Sequence, residues 1–196
     1  MSTVGRPKAH NEATRVALLA AAERLVDEHG PDAASVRAVA DEVGTTTRAV
    51  YSVFGSKQGL LEALAARLFE VLGGAIEAVP VSENPSVDLV RVGEAFRGTA
   101  LEHPSLYRLV FLRVVPDLEL GPAFREVANA AFDRMKARVE RVAGPGSEAD
   151  VHERALAFHA LTEGLASMEL RGQMLDSANA KRVWHDALWS LVRGFQ

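Results

Sequence analysis

Two short apolar stripes at helical spacing, parted by a Val43-Gly44-Thr45 corner, constrain this chain more than any other feature. Ser35 can cap a short helix in which Val36, Val39, Ala40 and Val43 share a face, and Gly44 ends it. Thr45 or Thr46 can cap the next, which carries Val50, Tyr51 and Phe54 and stops at Gly55. Ser56 then opens a longer helix with Leu60, Leu64, Leu68 and Val71 in line. Such a pair has the form of a helix-turn-helix, in which glycine permits the sharp turn and the second helix enters the major groove of double-stranded DNA by its N-terminal end. Thr47, Arg48 and Ser52 fall on its outward side, and arginine is the commonest reader of guanine O6 and N7. Val50, Val53 and Phe54 point partly inward against helices one and two. The ring of Tyr51 can pack on the helix while its hydroxyl bonds a phosphate, and Lys57, at a helix start that already favours anions, adds a second phosphate clamp.

Helical signals continue to the C-terminus, and no period-2 strand emerges. A first helix from about Asn11 to His29 places Leu18, Ala22 and Leu25 together and ends at Gly30-Pro31. VSENPS (81–86) reads as a linker, because two prolines with Ser and Asn cannot hold a helix. Helix five (about Ser86 to Glu102) is broken at His103-Pro104, a short sixth follows, and Gly121-Pro122 opens a seventh that GPGS (144–147) ends. Helix eight spans about Ala149 to Leu170, and helix nine about Ala178 to Arg193. The expected fold is therefore all-α: a three-helix helix-turn-helix unit over residues 1–56, joined by a long fourth helix to a helical bundle over 57–196, with about nine helices in all.

Composition removes several classes. The chain has 196 residues and no cysteine, which excludes disulfides, thiolate metal sites and thiol redox sensing. It lacks a long uncharged apolar run and a signal-peptide start, so a cytoplasmic protein without a membrane partner is expected. The net charge of -4 argues against indiscriminate coating of nucleic acid. Residues 1–60 nevertheless balance seven Lys/Arg against seven Asp/Glu, so a polyanion would dock there rather than on the acidic remainder. No phosphate-loop GK[ST], GxSxG or HExxH motif occurs, and GPGSEA lacks the preceding strand that a dinucleotide loop needs, so no enzyme is expected.

Ser35, Val39-Ala40, Gly44, Thr46, Tyr51, Phe54 and Gly55-Ser56-Lys57, following a first helix and a basic arm, resemble the DNA-binding domain of the TetR family of transcriptional regulators. The resemblance covers about residues 8–70. Gly59 departs from it, standing where Glu is common in the family, so a capping box is missing. HPSLYRLVF (103–111) with EGLASMELRG (163–172) is similar to one subgroup of TetR C-terminal domains. The resemblance implies a homodimeric repressor that binds a palindromic operator and is released by a small molecule. The DNA contacts it implies are Ser35, Thr45, Thr46, Thr47, Arg48, Tyr51, Ser52 and Lys57, with Arg6 of the arm GRPK (5–8) reaching a minor groove.

Within the bundle, Phe96, Tyr107, Phe111, Phe158, His159, Thr162 and Met168 are the candidate ligand residues, suited to a largely apolar effector in a pocket between helices five to eight. His159 and Glu163 lie one turn apart with His152 two turns back, a spacing that could bind a metal. Without a fourth ligand, a partly buried histidine bonded to a neighbour is the commoner arrangement, so no metal or cofactor is expected. The wide stripe Trp184, Leu188, Leu191 and Val192, with the small approach surface at Leu161 and Gly164, is the expected dimer face. The alternatives are a ligand-independent architectural DNA-binding protein and, far behind, an all-helical enzyme.

Overall fold

Glycines, prolines and hydroxylated caps set most helix ends in this chain, as their positions in the sequence lead one to expect. The structure, a computed structural model, describes residues 6–30, 33–115, 118–144 and 146–196, with side chains from Glu12 onward. Among the described residues there are nine α-helices and no strand: α1 (Arg6–His29), α2 (Val36–Val43), α3 (Thr47–Phe54), α4 (Lys57–Ala78), α5 (Pro85–Glu102), α6 (Pro104–Phe111), α7 (Pro122–Ala143), α8 (Glu148–Leu170) and α9 (Ser177–Arg193). None of them is long and apolar enough to cross a membrane. The start of α1 differs from expectation: residues 6–8 of the presumed arm are helical, and Pro7 sits in the first turn, where its missing N–H would have had no helical partner. The side chain of Arg6 lies outside the described residues.

The chain packs as two compact units: residues 1–67 with 105–124, and residues 68–104 with 125–196. In the first unit Leu18, Ala22 and Val26 of α1, Val36, Val39 and Ala40 of α2, and Val50 of α3 are buried, whereas Phe54 is only half-buried. Gly44 turns the chain with φ 69° and ψ 35°, and the Thr45 N–H donates to the carbonyl of Ala40 at 2.9 Å, closing α2 in the left-handed manner that glycine adopts without strain. The missing capping box of α4 also has a physical reason. Ser56 Oγ accepts the Gly59 N–H at 2.9 Å, and a Cβ at Gly59 would overlap the Phe54 carbonyl oxygen, so α3 runs into α4 too closely for Glu there. The start of α4 is fastened within this unit by Gln58, which donates to the Glu119 carbonyl, and by Glu62, which accepts the Gly121 N–H, each at 2.9 Å.

In the second unit α5 lies against α8 and α9. The close approach of α5 and α9 depends on Gly93, where a Cβ would overlap the Leu188 side chain. Glu169 near the end of α8 accepts a two-pronged bond from Arg97 of α5 (2.8 and 2.6 Å) and a third from the indole N–H of Trp184 on α9 (2.8 Å). Three residues of the expected dimer stripe are thereby reassigned: Trp184, Leu188 and Val192 are buried in the chain's own core. A wide apolar stripe on an amphipathic helix cannot by itself say whether its cover is the same chain or another, and here α5 supplies it. Leu191 and Leu161 are half-buried, and Gly164 is exposed.

The segment read as a linker is a tethered strap. Asp88 is buried and accepts from the Ser82 N–H and the Ser82 hydroxyl (both 2.7 Å) and from Arg141 of α7 (2.9 Å), while Arg141 also reaches the Ser82 carbonyl at 2.8 Å. Asn84 caps α5, and Pro85 fills its first turn. The Ser82 bonds first, and Arg141 after them, hold the Asp88 carboxyl at about 2, below its ordinary 3.8. A depressed carboxyl contributes stability above its unfolded value and loses it as pH falls towards the folded one. Urea midpoints of the wild type should therefore fall between about pH 5 and pH 2.5, and Asp88→Asn should start lower at about pH 5 and show a shallower fall. Equal acid slopes for the two proteins would remove Asp88 from this role.

Candidate nucleic-acid interface and small-molecule cavity

Three hydroxylated caps shape the surface around the turn. Ser35 Oγ accepts the Ala38 N–H at 3.1 Å, Thr46 Oγ1 the Ala49 N–H at 3.2 Å, and Ser56 Oγ the Gly59 N–H at 2.9 Å. Each is acceptor to the backbone, which leaves the hydroxyl hydrogen available to an outside oxygen such as a phosphate. Thr46 has extended backbone (φ -105°, ψ 152°), so α3 starts abruptly with Thr47 and Arg48 in its first turn. Val50 is fully buried, and the rest of the short helix is oriented by it. Thr46, Thr47, Arg48, Ser52 and Lys57 are exposed, and Tyr51 is 52% exposed. Thr45 and Ser35 are half-buried at the rim. A Tyr more than half exposed offers a surface molecule both an apolar ring and a polar hydroxyl. Chemically the face offers hydroxyls, one guanidinium, one ammonium and one phenol, a set suited to base edges and phosphates.

In the second unit a cavity of about 330 Å³ is lined by Phe69, Leu72 and Ile76 of α4, Phe96 of α5, Ala128, Asn129, Ala131, Phe132 and Met135 of α7, and His152, Leu156 and His159 of α8. None of these twelve side chains is Lys, Arg, Asp or Glu. Phe132 meets His152 edge-on at 5.5 Å and His159 at 6.2 Å with the rings at 90°, and Phe96 meets His159 at 6.2 Å. Burial lowers the His159 pKa from its ordinary value, and Glu163, 3.5 Å from Nε2, only partly opposes this. Below the unfolded imidazole's range such a histidine costs stability, and above it the ring is neutral. Among the described residues no group of three His, Cys, Asp or Glu side chains could hold a metal ion.

Of the seven residues expected to meet a ligand, Phe96 and His159 line this cavity. Phe158 is fully buried, as is Thr162, whose hydroxyl donates back to the carbonyls of Phe158 and His159 at 3.1 and 3.0 Å. Met168 is exposed, and Tyr107 and Phe111 belong to the first unit, where their rings lie 4.7 Å apart. Phe69 and Phe132 are not among those seven, and His152 is weighed in the sequence only as a metal ligand and not as part of the lining. A usable signal existed for the last: His152, Leu156 and His159 recur at i, i+4 and i+7, one face of α8.

Comparison with known proteins bears on both sites. A family model described as bacterial regulatory proteins of the tetR family matches residues 18–64, and one described as the tetracyclin repressor-like C-terminal domain matches residues 89–191. The HTH-type transcriptional regulator Rv1816 of Mycobacterium tuberculosis is 27% identical over 145 residues, which are 69% of this chain and 62% of that protein. The chain thus spans less than two thirds of the length of this relative. Among solved structures, a tetR-family transcriptional regulator from Streptomyces coelicolor superposes with a TM-score of 0.71 at 20% identity, over 94% of this chain and 79% of that one. The TetR family transcriptional regulator PfmR from Thermus thermophilus gives 0.63 at 24% identity, covering 91% and 98%. A TetR variant from Acinetobacter baumannii AYE in complex with minocycline gives 0.63 at 20% identity, covering 91% and 93%. At these identities the structures establish a shared fold.

Proposed function

The chain belongs to the TetR family of DNA-binding transcriptional regulators, and on that premise we propose that it is a repressor that binds a palindromic operator as a homodimer and is released by a small, largely apolar effector. The observation that carries the reading is that one helix joins the two candidate sites. Residue 57, the first of α4, is the exposed lysine beside α3, while Phe69, Leu72 and Ile76 of the same helix line the cavity. A molecule seated against those three side chains bears on the helix that begins at the DNA-facing lysine. A ligand-independent architectural role would leave an apolar-lined cavity without purpose, and no observation favours it. The minocycline complex of the related fold supports the idea that such bundles take small molecules, without indicating which one enters here.

On the DNA side, Arg48 is assigned to a base and Lys57 to phosphate. Arg48→Ala should cost roughly 1–3 kcal/mol and flatten preference at one position of each half-site. Lys57→Ala should weaken all sequences alike and reduce the salt slope by about one. Binding titrations on operator and scrambled duplexes at several salt concentrations separate the two, and equal losses on both duplexes for Arg48→Ala would cancel its reading role.

For the dimer, the outward face of α8 is the better candidate now that α9's main stripe is covered. Ala157, Ala160 and Gly164 are exposed there, beside half-buried Leu161, and are small enough for close helix approach. A Cβ at Gly164 would meet nothing within 4 Å, so Gly164→Arg should fold normally. It should run as a monomer in sedimentation and lose tight binding to a palindrome while keeping weak half-site binding. A dimeric Gly164→Arg would move the interface to another face.

Release requires the effector to prefer the arrangement that cannot hold DNA. A typical coupling of about 1–3 kcal/mol corresponds to a loss of operator affinity of roughly 5- to 150-fold. Linkage makes this reciprocal, so calorimetric titration of effector into free and operator-bound protein should differ by the same factor. Identical effector affinities in the two titrations would refute release by this route.

A further inference from the structure

The chemistry of the cavity lining narrows the effector further, an inference that rests on the reading of the cavity as the effector site. We propose that the cavity selects an uncharged, planar aromatic compound of two or three rings carrying one hydrogen-bonding group, and rejects the corresponding anions.

Three observations carry this. First, size: at about 330 Å³ the cavity is at the small end of the roughly 300–1,000 Å³ usual for small-molecule sites, which suits a compact ring system rather than a long chain or a large polycycle. Second, shape and quadrupole: three phenyl rings, Phe69, Phe96 and Phe132, and two imidazoles, His152 and His159, face one space, and the Phe132, Phe96 and His159 rings are already set edge to face. A planar aromatic guest extends that pattern, since ring edges and faces attract in the same geometry, and an alkyl chain gains only area. Third, charge: with no Lys, Arg, Asp or Glu in the lining, an ionised guest would lose its hydration without gaining a counter-charge, which is among the costliest exchanges a protein interior can make.

The polar residues of the lining fix the guest's single polar group. His152 is exposed and His159 half-buried, both on α8, so the polar end of the space is the α8 side and the phenyl-rich remainder takes the ring system. Burial favours the neutral form of His159, so the ring offers one donor or acceptor and no charge, which suits a phenol, an aromatic ketone or an amide better than a carboxylate. The Glu163 carboxylate 3.5 Å from Nε2 adds negative charge behind the ring and further disfavours an anion.

The test uses the full-length protein and three probes matched in size: 2-naphthol, 2-naphthoate and 1-decanol, titrated calorimetrically near neutral pH. The expected result is one-site binding of 2-naphthol at least tenfold tighter than that of either other probe. Ala128→Leu, which places a larger side chain in the lining, should abolish it while leaving the circular dichroism and melting of the protein intact. Phe132→Leu, which keeps apolar area but removes a ring, should weaken 2-naphthol several-fold and leave 1-decanol unchanged. If Ala128→Leu fails to fold, the Phe132→Leu contrast alone decides. Equal or tighter binding of 2-naphthoate overturns the charge rule, equal binding of 1-decanol overturns the aromatic rule, and no binding of 2-naphthol overturns the proposal. If 2-naphthol binds as expected yet leaves operator affinity unchanged, the ligand class stands and the release mechanism proposed above falls instead.

Discussion

One carboxylate fastens the second unit. Glu169 receives two bonds from Arg97 and one from Trp184, and so joins α5, α8 and α9 at a single point where both partners of the ion pair are largely shielded from water. The bonds explain each other: Arg97 first, and Trp184 with it, keep the carboxyl below its ordinary range against the opposing effect of burial, and the Glu169 carboxylate in turn raises the pKa of the guanidinium. A two-pronged guanidinium–carboxylate contact fixes orientation as well as distance, so α5 is held in rotation about its own axis. That rotation points Gly93 at Leu188, where the two helices close on each other, and Phe96 into the cavity. Phe96, the one α5 residue of the cavity lining, thus sits next in the chain to the arginine that fixes its helix.

The first unit is organised by backbone rather than by side-chain charge. Its α2 and α3, at 8 residues each, are too short to be stable alone, and what defines them is where each stops. Gly44 and Gly55 both take positive φ, at 69° and 74°, while Thr46 and Ser56 each accept an N–H three residues on. With both ends of α3 fixed, a single fully buried residue, Val50, suffices to set which side faces outward. The exposed Thr47, Arg48, Tyr51 and Ser52 are then displayed without needing contacts of their own, which is what a surface reserved for another molecule requires.

This division of labour also explains what could be read from residues alone. Turn glycines, caps and the His103-Pro104 break are local signals with local consequences, so the α2–α3 turn, the outward set on α3 and the split between α5 and α6 were legible. The signals that failed were those whose meaning depends on distant partners. Trp184 and Leu188 form a stripe whether α5 or a second chain covers it. Asp88 gives no hint in sequence that Arg141, far along the chain, will tie it to Ser82. Tyr107 and Phe158 share the helical phase of a pocket lining yet are fully buried outside it, because phase reports which side is inward and not whether space remains there. Phe69 lines that space from beside the α4 stripe of Leu60, Leu64, Leu68 and Val71, where a one-face reading does not look.

The cavity bears on the stability of the second unit through the volume it leaves unfilled. Deleted core volume costs about 24 cal/mol per Å³, so a dry void of 330 Å³ would cost about 8 kcal/mol, as much as a whole domain's net stability. The chain escapes that cost by opening the space at Leu156, which is 47% exposed, and at His152. Water admitted there meets mostly phenyl and aliphatic surface and can complete few hydrogen bonds. A guest that displaces such water gains without having to match the bonds it breaks. Ala128 and Ala131, small residues on the α7 wall, keep the space open where larger apolar side chains would have closed it. The helix that forms one wall of this space is the same helix that starts at Lys57.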